Sequence, residues 1–312
     1  MEKLVIALGG NALQAGGGPA TAEAQLEVVK STCGYIAEIC KEYQVTLVHG
    51  NGPQVGRILM ASEAAKDVTP VMPFDVCGAM SQGYIGYHLQ QCLGHALKEK
   101  GIDKPVVTLL TQVAVNENDP GFRNPTKPIG AFYSEREAQG LEREKGFTMK
   151  EDSGRGYRRV VASPAPVEIV ELDIIKKLEG SAVVITCGGG GIPVVRQGSG
   201  GLKGVPAVID KDFAAGLLAE SIGADRLIIL TEVEKVAINF NTPDQRNLSR
   251  LTYAECERHC GENQFAPGSM LPKVQAAMKF VKANPGKKAV IGSLEKCMDT
   301  VLGKTGTEIV FA

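Results

Sequence analysis

Tryptophan is absent from this chain, and aromatic residues make up only 5% of it. No stretch comes near the roughly 20 apolar residues that a membrane-spanning helix needs. The first apolar run, residues 4–8, is too short for a signal peptide and reads as a strand, so the expectation is a cytoplasmic protein. An excess of either charge is missing too. The 34 basic residues face 35 acidic ones, a formal net charge of −1. That gives no sign of a polyanion-binding surface and argues against nucleic acid as the default partner. The eight cysteines, at 33, 40, 77, 92, 187, 256, 260 and 297, contain no C-x-x-C pair and read as buried, reduced thiols. The familiar nucleotide fingerprints also fail. Residues 303–307 read GKTGT, but Met298 stands where a P-loop needs its earlier glycine. Residues 188–191 cannot continue as G-x-G-x-x-G, because Pro193 takes the last place.

What is present is length, apolar content and glycine. The chain has 312 residues, 44% of them hydrophobic, which allows one large α/β domain or two smaller ones. Its 37 glycines, with so few aromatics, suit many tight strand-to-helix loops. Apolar runs at 4–8, 45–49, 106–110, 182–187, 227–231, 289–291 and 308–311 read as strands. Helical patterns fall near 21–42, from Pro53, and near 76–98, 168–179, 212–222, 252–261, 270–283 and 294–302. This alternation predicts a mostly parallel sheet with helices on both faces. Residues 115–165, rich in Pro, Gly and charge, break the rhythm and read as an inserted subdomain or lid. The glycine-rich residues 196–205 read as a mobile loop.

Three strands run into glycine loops: ALGGNAL, VHGNGPQVG and TCGGGGIPV. At the carboxyl edge of a parallel sheet, such loops bring backbone N–H groups close to an anion. Two lysines sit at helix starts, where the helix dipole disfavours a cation by about 0.3–1 kcal/mol. Lys211 lies in AVIDKDFAAG between Asp210 and Asp212, acids that suit a helix start. Lys273 follows Ser269, a candidate N-cap, and Pro272. A bound anion explains both placements. Phosphoryl transfer uses such parts, because its catalysis is positioning plus stabilisation of charge on the moving group. Asp210 and Asp212 could keep lysines charged and aimed, or help hold Mg²⁺. The arginines of GRGYRRVV read as a solvated edge or as part of a lid meeting an anionic substrate. His88, Cys92 and His95 share one helical face, but without a fourth ligand they read as structural.

The segments ALGGNA, HGNGPQVG, NPTKPIG, GRGYRRVV, GGGGIPVV, AVIDKD, ILTEVEKVAIN and GSMLPKV occur in the order found in bacterial carbamate kinases, of the amino acid kinase superfamily. The resemblance covers essentially the whole chain, and NPTKPIG and GRGYRR lie in the insert that marks the carbamate kinase branch. It implies a three-layer αβα sandwich on one mainly parallel eight-stranded sheet. An N-lobe of about 1–180 would hold carbamoyl phosphate or carbamate, with the insert near 115–165 over the site. A C-lobe of about 181–312 would hold ADP or ATP. It implies a homodimer using Mg²⁺, carried on the nucleotide phosphates, with Asp212 as the candidate protein ligand. By motif, Lys211 and Lys273 would contact the transferring phosphoryl group, Lys127 would reach in from the insert, and Asp210 would orient lysines. Gly9, Gly10, Asn11, Gly50, Asn51 and Gly52 would form the substrate cradle. Asp212, Thr231, Val233, Met270 and Lys273 would serve the nucleotide. Tyr157, Ala162 and Phe240 depart mildly from residues common in relatives. Arginine, agmatine, purine and allantoin breakdown are the settings the resemblance suggests. Two other readings compete: a kinase of another small acid such as acetylglutamate, and a non-catalytic binder of carbamoyl phosphate or nucleotide.

Overall fold

The computed structural model describes residues 1–14, 21–152, 154–198 and 200–311, and only the backbone of Asn11. The chain begins with β1 (Lys3–Leu8), α1 (Ala22–Ile39), β2 (Gln44–His49), α2 (Gly52–Ala64), α3 (Phe74–Glu99), β3 (Val106–Thr108) and β4 (Gln112–Val115). Next come β5 (Lys127–Tyr133), α4 (Glu135–Lys145), β6 (Thr148–Glu151), β7 (Tyr157–Val161), β8 (Pro166–Ile169) and α5 (Leu172–Leu178). These lead to β9 (Val183–Ile185), β10 (Ile192–Arg196), β11 (Leu202–Gly204), α6 (Lys211–Ser221) and β12 (Arg226–Thr231). The rest is β13 (Val236–Ile238), β14 (Arg246–Leu248), β15 (Arg250–Thr252), α7 (Tyr253–Gly261), α8 (Met270–Ala283), β16 (Lys288–Ser293), α9 (Cys297–Val301) and β17 (Thr307–Val310).

Eight strands form the central sheet in the order β15-β17-β16-β12-β1-β2-β9-β3, parallel except where β17 meets β16. Both of its faces are covered, so its inner strands are apolar throughout rather than alternating. In β1, Val5 and Ala7 join one core with α6 and α8, while Leu4, Ile6 and Leu8 join another with α1 and α3. The three layers follow from that two-sided burial. β1 pairs with β2 on one side and β12 on the other, so the chain winds outward in both directions from it. The carboxyl ends of β1, β2 and β12 therefore open on a switch-point crevice, the usual ligand position in such sheets.

Several sequence expectations change. A second sheet, β11-β10-β4-β8, stands beside the main one and is not announced by the strand–helix rhythm. The helix expected over 168–179 is shortened to α5, because residues 166–169 pair antiparallel with β4 as β8. The segment PVEI favours extension: Pro166 lacks an N–H, and Val and Ile are β-branched. The loop expected over 196–205 is largely a hairpin, with Val194 opposite Gly204 and Arg196 opposite Leu202; Ser199 lies outside the described residues. The insert has regular structure, a three-stranded antiparallel sheet β5-β7-β6 with α4 packed on it. It is fastened to the body where α2 meets β5. A Cβ on Gly56 would lie 2.1 Å from the Gly130 nitrogen, so two glycines let the backbones touch. The helix near 294–302 is the short α9. The GKTGT stretch turns from α9 into β17, a helix-to-strand turn where a P-loop joins strand to helix.

All eight cysteines are free, and all but Cys260 are buried. His88 packs edge-on against Tyr84 at 4.9 Å, whereas His95 points to solvent and meets Glu99 at 3.3 Å. Among the described residues no three His, Cys, Asp or Glu side chains form a metal-holding group.

Candidate active site

The opening of α6 accounts for its two aspartates. Asp210 is the N-cap, and its Oδ1 accepts the Asp212 N–H at 2.8 Å. Lys211 occupies the first helical position and lies almost fully buried. Its stem runs past the glycine turn after β2, where a Cβ on Gly50 would come within 3.3 Å of the Lys211 Cδ. Its Nζ donates to Asp212 Oδ1 at 2.7 Å, while Lys273 Nζ donates to Asp212 Oδ2 at 3.1 Å. Lys127, the first residue of β5 in the insert, donates to Asp210 Oδ2 at 2.5 Å. Three lysines from three separate elements thus converge through two adjacent carboxylates, leaving one net positive charge. Ser269 does hold the N-cap position of α8, but its hydroxyl makes no capping bond, contrary to expectation.

Burial opposes all of these charges, and their mutual attraction decides each outcome. Burial alone would raise the Asp210 carboxyl, but Lys127 and Lys211 outweigh it and hold the group well below the usual carboxylate range. Asp212 is held down against burial by Lys211 and Lys273. Burial leaves Lys211 below its ordinary value despite Asp212, whereas Asp212 and Asp210 overcome burial at Lys273 and raise it.

The cluster opens on a cavity of about 420 Å³ that collects Gly10, Gly50, Asn51, Gly52, Lys127, Asp210, Lys211, Asp212 and Lys273. A smaller cavity of about 160 Å³, lined by Gly9, Gly10, Lys211, Thr231, Lys273 and Leu294, adjoins it at the end of β12. Most of the expected site residues are therefore brought together. The side chain of Asn11 lies outside the described residues. Two others are not brought to these cavities: Val233 sits in the turn after β12, and Met270 packs on the core beneath α8.

The third glycine loop has a different cause from the one expected. Cβ atoms on Gly188, Gly189, Gly190 and Gly191 would strike His49, Asn51, the Ile209 carbonyl and Val113, each within 2.4 Å. These glycines admit the protein's own groups, and only Gly189 reaches the larger cavity. A buried polar network holds the loop. Gln82 on α3 donates to the Thr111 and Gly188 carbonyls at 3.1 and 2.9 Å. Thr111 Oγ1 accepts from the Cys187 N–H at 3.1 Å, and Asn51 Nδ2 donates to Ser81 Oγ at 2.8 Å. Sequence reasoning missed Ser81 and Gln82, because polar residues on an exposed helix face look the same as polar residues turned inward. It also missed Asp152 and Glu232 on the cavity wall. Arg155 and Arg158, for which the sequence leaves open a solvated edge or a lid meeting an anionic substrate, reach that wall from the insert.

His49, at the end of β2, is a buried part of this scaffold. Its Nδ1 meets the Gly50 carbonyl at 2.8 Å, which requires the Nδ1–H tautomer. Burial brings its pKa down from 6.5 to about 4. The folded protein therefore keeps His49 neutral where the unfolded chain takes a proton. Stability contributed above the unfolded value is lost as pH falls towards the folded one, by about 2 kcal/mol at pH 5. Urea unfolding at about pH 7.5 and about pH 5 measures this drop, which should shrink by about that amount in His49→Gln. An equal drop in both proteins would rule the account out.

Comparison with known proteins bears on this geometry. A family model described as the amino acid kinase family matches residues 2–293. The carbamate kinase of Clostridium perfringens is 55% identical, with 99% of each chain covered. The carbamate kinase of Giardia lamblia bound to citric acid superposes with a TM-score of 0.94 at 43% identity, covering 100% of this chain and 99% of that one. Bound to AMP-PNP, the Giardia enzyme gives a TM-score of 0.90 at the same identity and coverage. The chain belongs to the amino acid kinase family, in which it groups with the carbamate kinases.

Proposed function

We propose that the protein transfers a phosphoryl group reversibly between carbamoyl phosphate and ADP, giving ATP and carbamate, which breaks down to ammonia and CO₂. The observation that carries this reading is the meeting of Lys127, Lys211 and Lys273, aimed by Asp210 and Asp212, beside the glycine turns after β1 and β2. In the ATP-forming direction a β-phosphate oxygen of ADP attacks phosphorus, and the bond to the carbamate oxygen breaks. The attacking β-phosphate oxygen is already anionic, so the step needs no general base, and none of the lysines has to release a proton. Lys211 and Lys273 neutralise charge spread over the transferring group. Lys127 reaches the acyl phosphate from the insert. Gly9, Gly10, Asn11, Gly50, Asn51 and Gly52 cradle the substrate with backbone N–H groups, while Asp212 and Thr231 serve the nucleotide at the cavities, and Val233 and Met270 serve it from outside them. The N-lobe of about 1–180 is thus the acyl phosphate side and the C-lobe of about 181–312 the nucleotide side.

Mg²⁺ would neutralise phosphate charge when bound. Asp212 gives one oxygen to Lys211 and the other to Lys273, an arrangement that fits lysine positioning rather than metal ligation. The ion is therefore assigned to the nucleotide phosphates, which suit its preference for oxygen and retained water.

The test is detection of ATP by luciferase from purified protein, ADP, Mg²⁺ and fresh carbamoyl phosphate. ATP is the readout because carbamoyl phosphate decomposes unaided. No ATP from folded protein would reject the reading in favour of another acyl phosphate or a non-catalytic binder. We read the setting as cytoplasmic breakdown of arginine, agmatine, purines or allantoin; a deletion strain that loses ATP yield on one of these identifies the source.

We also propose a homodimer. On α3, which packs against the edge strand β3, Val76, Met80 and Tyr87 lie 39%, 48% and 59% exposed. A second copy covering this face explains an apolar stripe next to an open sheet edge. Light scattering should give a dimer for the wild type and a monomer for Met80→Asp combined with Tyr87→Asp; two dimers would refute the assignment of this face.

A further inference from the structure

Four carboxylates border the larger catalytic cavity: Asp152, Asp210, Asp212 and Glu232. Three of them hold cations. Asp152 pairs with Arg155 and Arg158 at 3.5 and 3.2 Å, Asp210 with Lys127 at 2.5 Å, and Asp212 with Lys211 and Lys273 at 2.7 and 3.1 Å. The Glu232 carboxylate makes no ion pair or hydrogen bond among the described residues. The fold fixes its place. Glu232 is the first residue beyond β12, and the Thr231 carbonyl before it accepts the Leu294 N–H at 3.1 Å. From there Glu232 also borders the smaller cavity, again with Gly10, Lys211 and Lys273, and among the described residues it is the only acid on that wall.

An unpaired acid is ordinary at a protein surface, but not beside a site for phosphate groups. Lys127, Lys211 and Lys273 exceed Asp210 and Asp212 by one positive charge, and Glu232 cancels it. A nucleotide then brings its own negative charges to the same lysines. A carboxylate facing phosphate in a partly closed cavity is repelled more strongly than in open water. The acid is favourable there when a cation comes between the two. Mg²⁺ suits that place, because it is usually bound by one or two carboxylates together with substrate phosphates, and keeps several waters. Asp210 and Asp212 are committed to lysines, which leaves Glu232 for the ion. Among the described residues no three His, Cys, Asp or Glu side chains form a metal-holding group, which suits an ion that arrives on the nucleotide. The alternative partner for a carboxylate is a ribose hydroxyl. Glu232 shares both cavities with Lys211 and Lys273, the lysines assigned to the transferring phosphoryl group, and this places it at the phosphates instead.

We propose that Glu232 is the protein's contact for the Mg²⁺ of the bound nucleotide, as a ligand or as acceptor for a water that the ion retains. The inference rests on the kinase reading and adds to it a residue for the metal.

Titration calorimetry of AMP-PNP, with Mg²⁺ and with EDTA, tests this in wild type, Glu232→Gln and Glu232→Asp. Glu232→Gln should bind metal-free AMP-PNP more tightly than wild type, because a repulsion is gone. It should bind AMP-PNP with Mg²⁺ more weakly, so that the gain in affinity from Mg²⁺ shrinks about tenfold or more. Glu232→Asp, which keeps the charge, should retain part of that gain. An equal loss of affinity with Mg²⁺ and with EDTA is the mark of a ribose contact and would overturn the proposal. So would a Glu232→Gln protein that keeps the full gain from Mg²⁺. Wild type that makes ATP in the luciferase assay alongside such a variant would confine the failure to Glu232. Wild type that binds no AMP-PNP in either medium would overturn the kinase reading together with this one. Glu232 is exposed, so an unchanged thermal midpoint in both variants separates a lost contact from a lost fold.

Discussion

In Lys211→Ala, turnover of carbamoyl phosphate and ADP to ATP is expected to fall by about 10²–10³-fold, or about 2.7–4 kcal/mol of transition-state stabilisation. The size follows from where the ammonium sits. It is buried at the start of α6, with its stem against Gly50 and its Nζ on Asp212. In such a site a fixed charge acts at full strength, because little water is present to screen it. The deletion should not unfold the protein, because Asp212 keeps Lys273 as a partner at 3.1 Å. The loss should therefore appear in kcat and kcat/KM together, with the thermal midpoint little changed. A rise in KM alone would make Lys211 a binding residue with no special hold on the transition state. Turnover equal to the wild type would remove it from the mechanism.

Gly190→Ala should be the most damaging single change to the fold. Gly190 has φ +93°, and an added Cβ would lie 2.1 Å from the Ile209 carbonyl oxygen. Backbone strain at such an angle costs about 1–3 kcal/mol. Forcing an atom into packed backbone costs about 1–3 kcal/mol more. Together these come to about 2–6 kcal/mol, which at its upper end matches the lower end of a typical domain's stability, about 5–15 kcal/mol. Whatever protein survives should also be a poor enzyme, since Ile209 immediately precedes Asp210 and must move to make room. Gly10→Ala is the instructive contrast. Nothing lies within 4 Å of its added Cβ, so stability should hold, but the methyl enters both cavities and activity should fall. Urea unfolding and the ATP assay on the two variants separate the cases. Equal stability of Gly190→Ala and wild type would contradict the close packing described here.

Glycine illustrates where sequence reading stopped. The three loops look alike as strings, and all three were expected to cradle an anion. The first two do border the cavity, whereas in the third the glycines make room for His49, Asn51, Ile209 and Val113. A string of glycines declares that something must come close; only the folded chain identifies what. The same limit applies to β8 and the second sheet. Short strands that pair across long separations have weak local signals, and the leaning of PVEI towards extension became a strand once β4 lay beside it.

By itself, the order of residues determined the alternating strands and helices, the two-sided burial of the main sheet, the insert and the unusual lysines at helix starts. These are local properties: apolar runs, capping chemistry and the sign of the helix dipole act within a few residues of one another. Tertiary structure alone decided that Lys127, Lys211 and Lys273, spread from 127 to 273 along the chain, share Asp210 and Asp212. It also decided that Ser81 and Gln82 turn inward to brace the third loop, and that Glu232 comes to border both cavities beside Lys211 and Lys273. Those meetings depend on the winding of the sheet outward from β1. They join groups far apart in sequence, whose attraction becomes strong only where packing has excluded water.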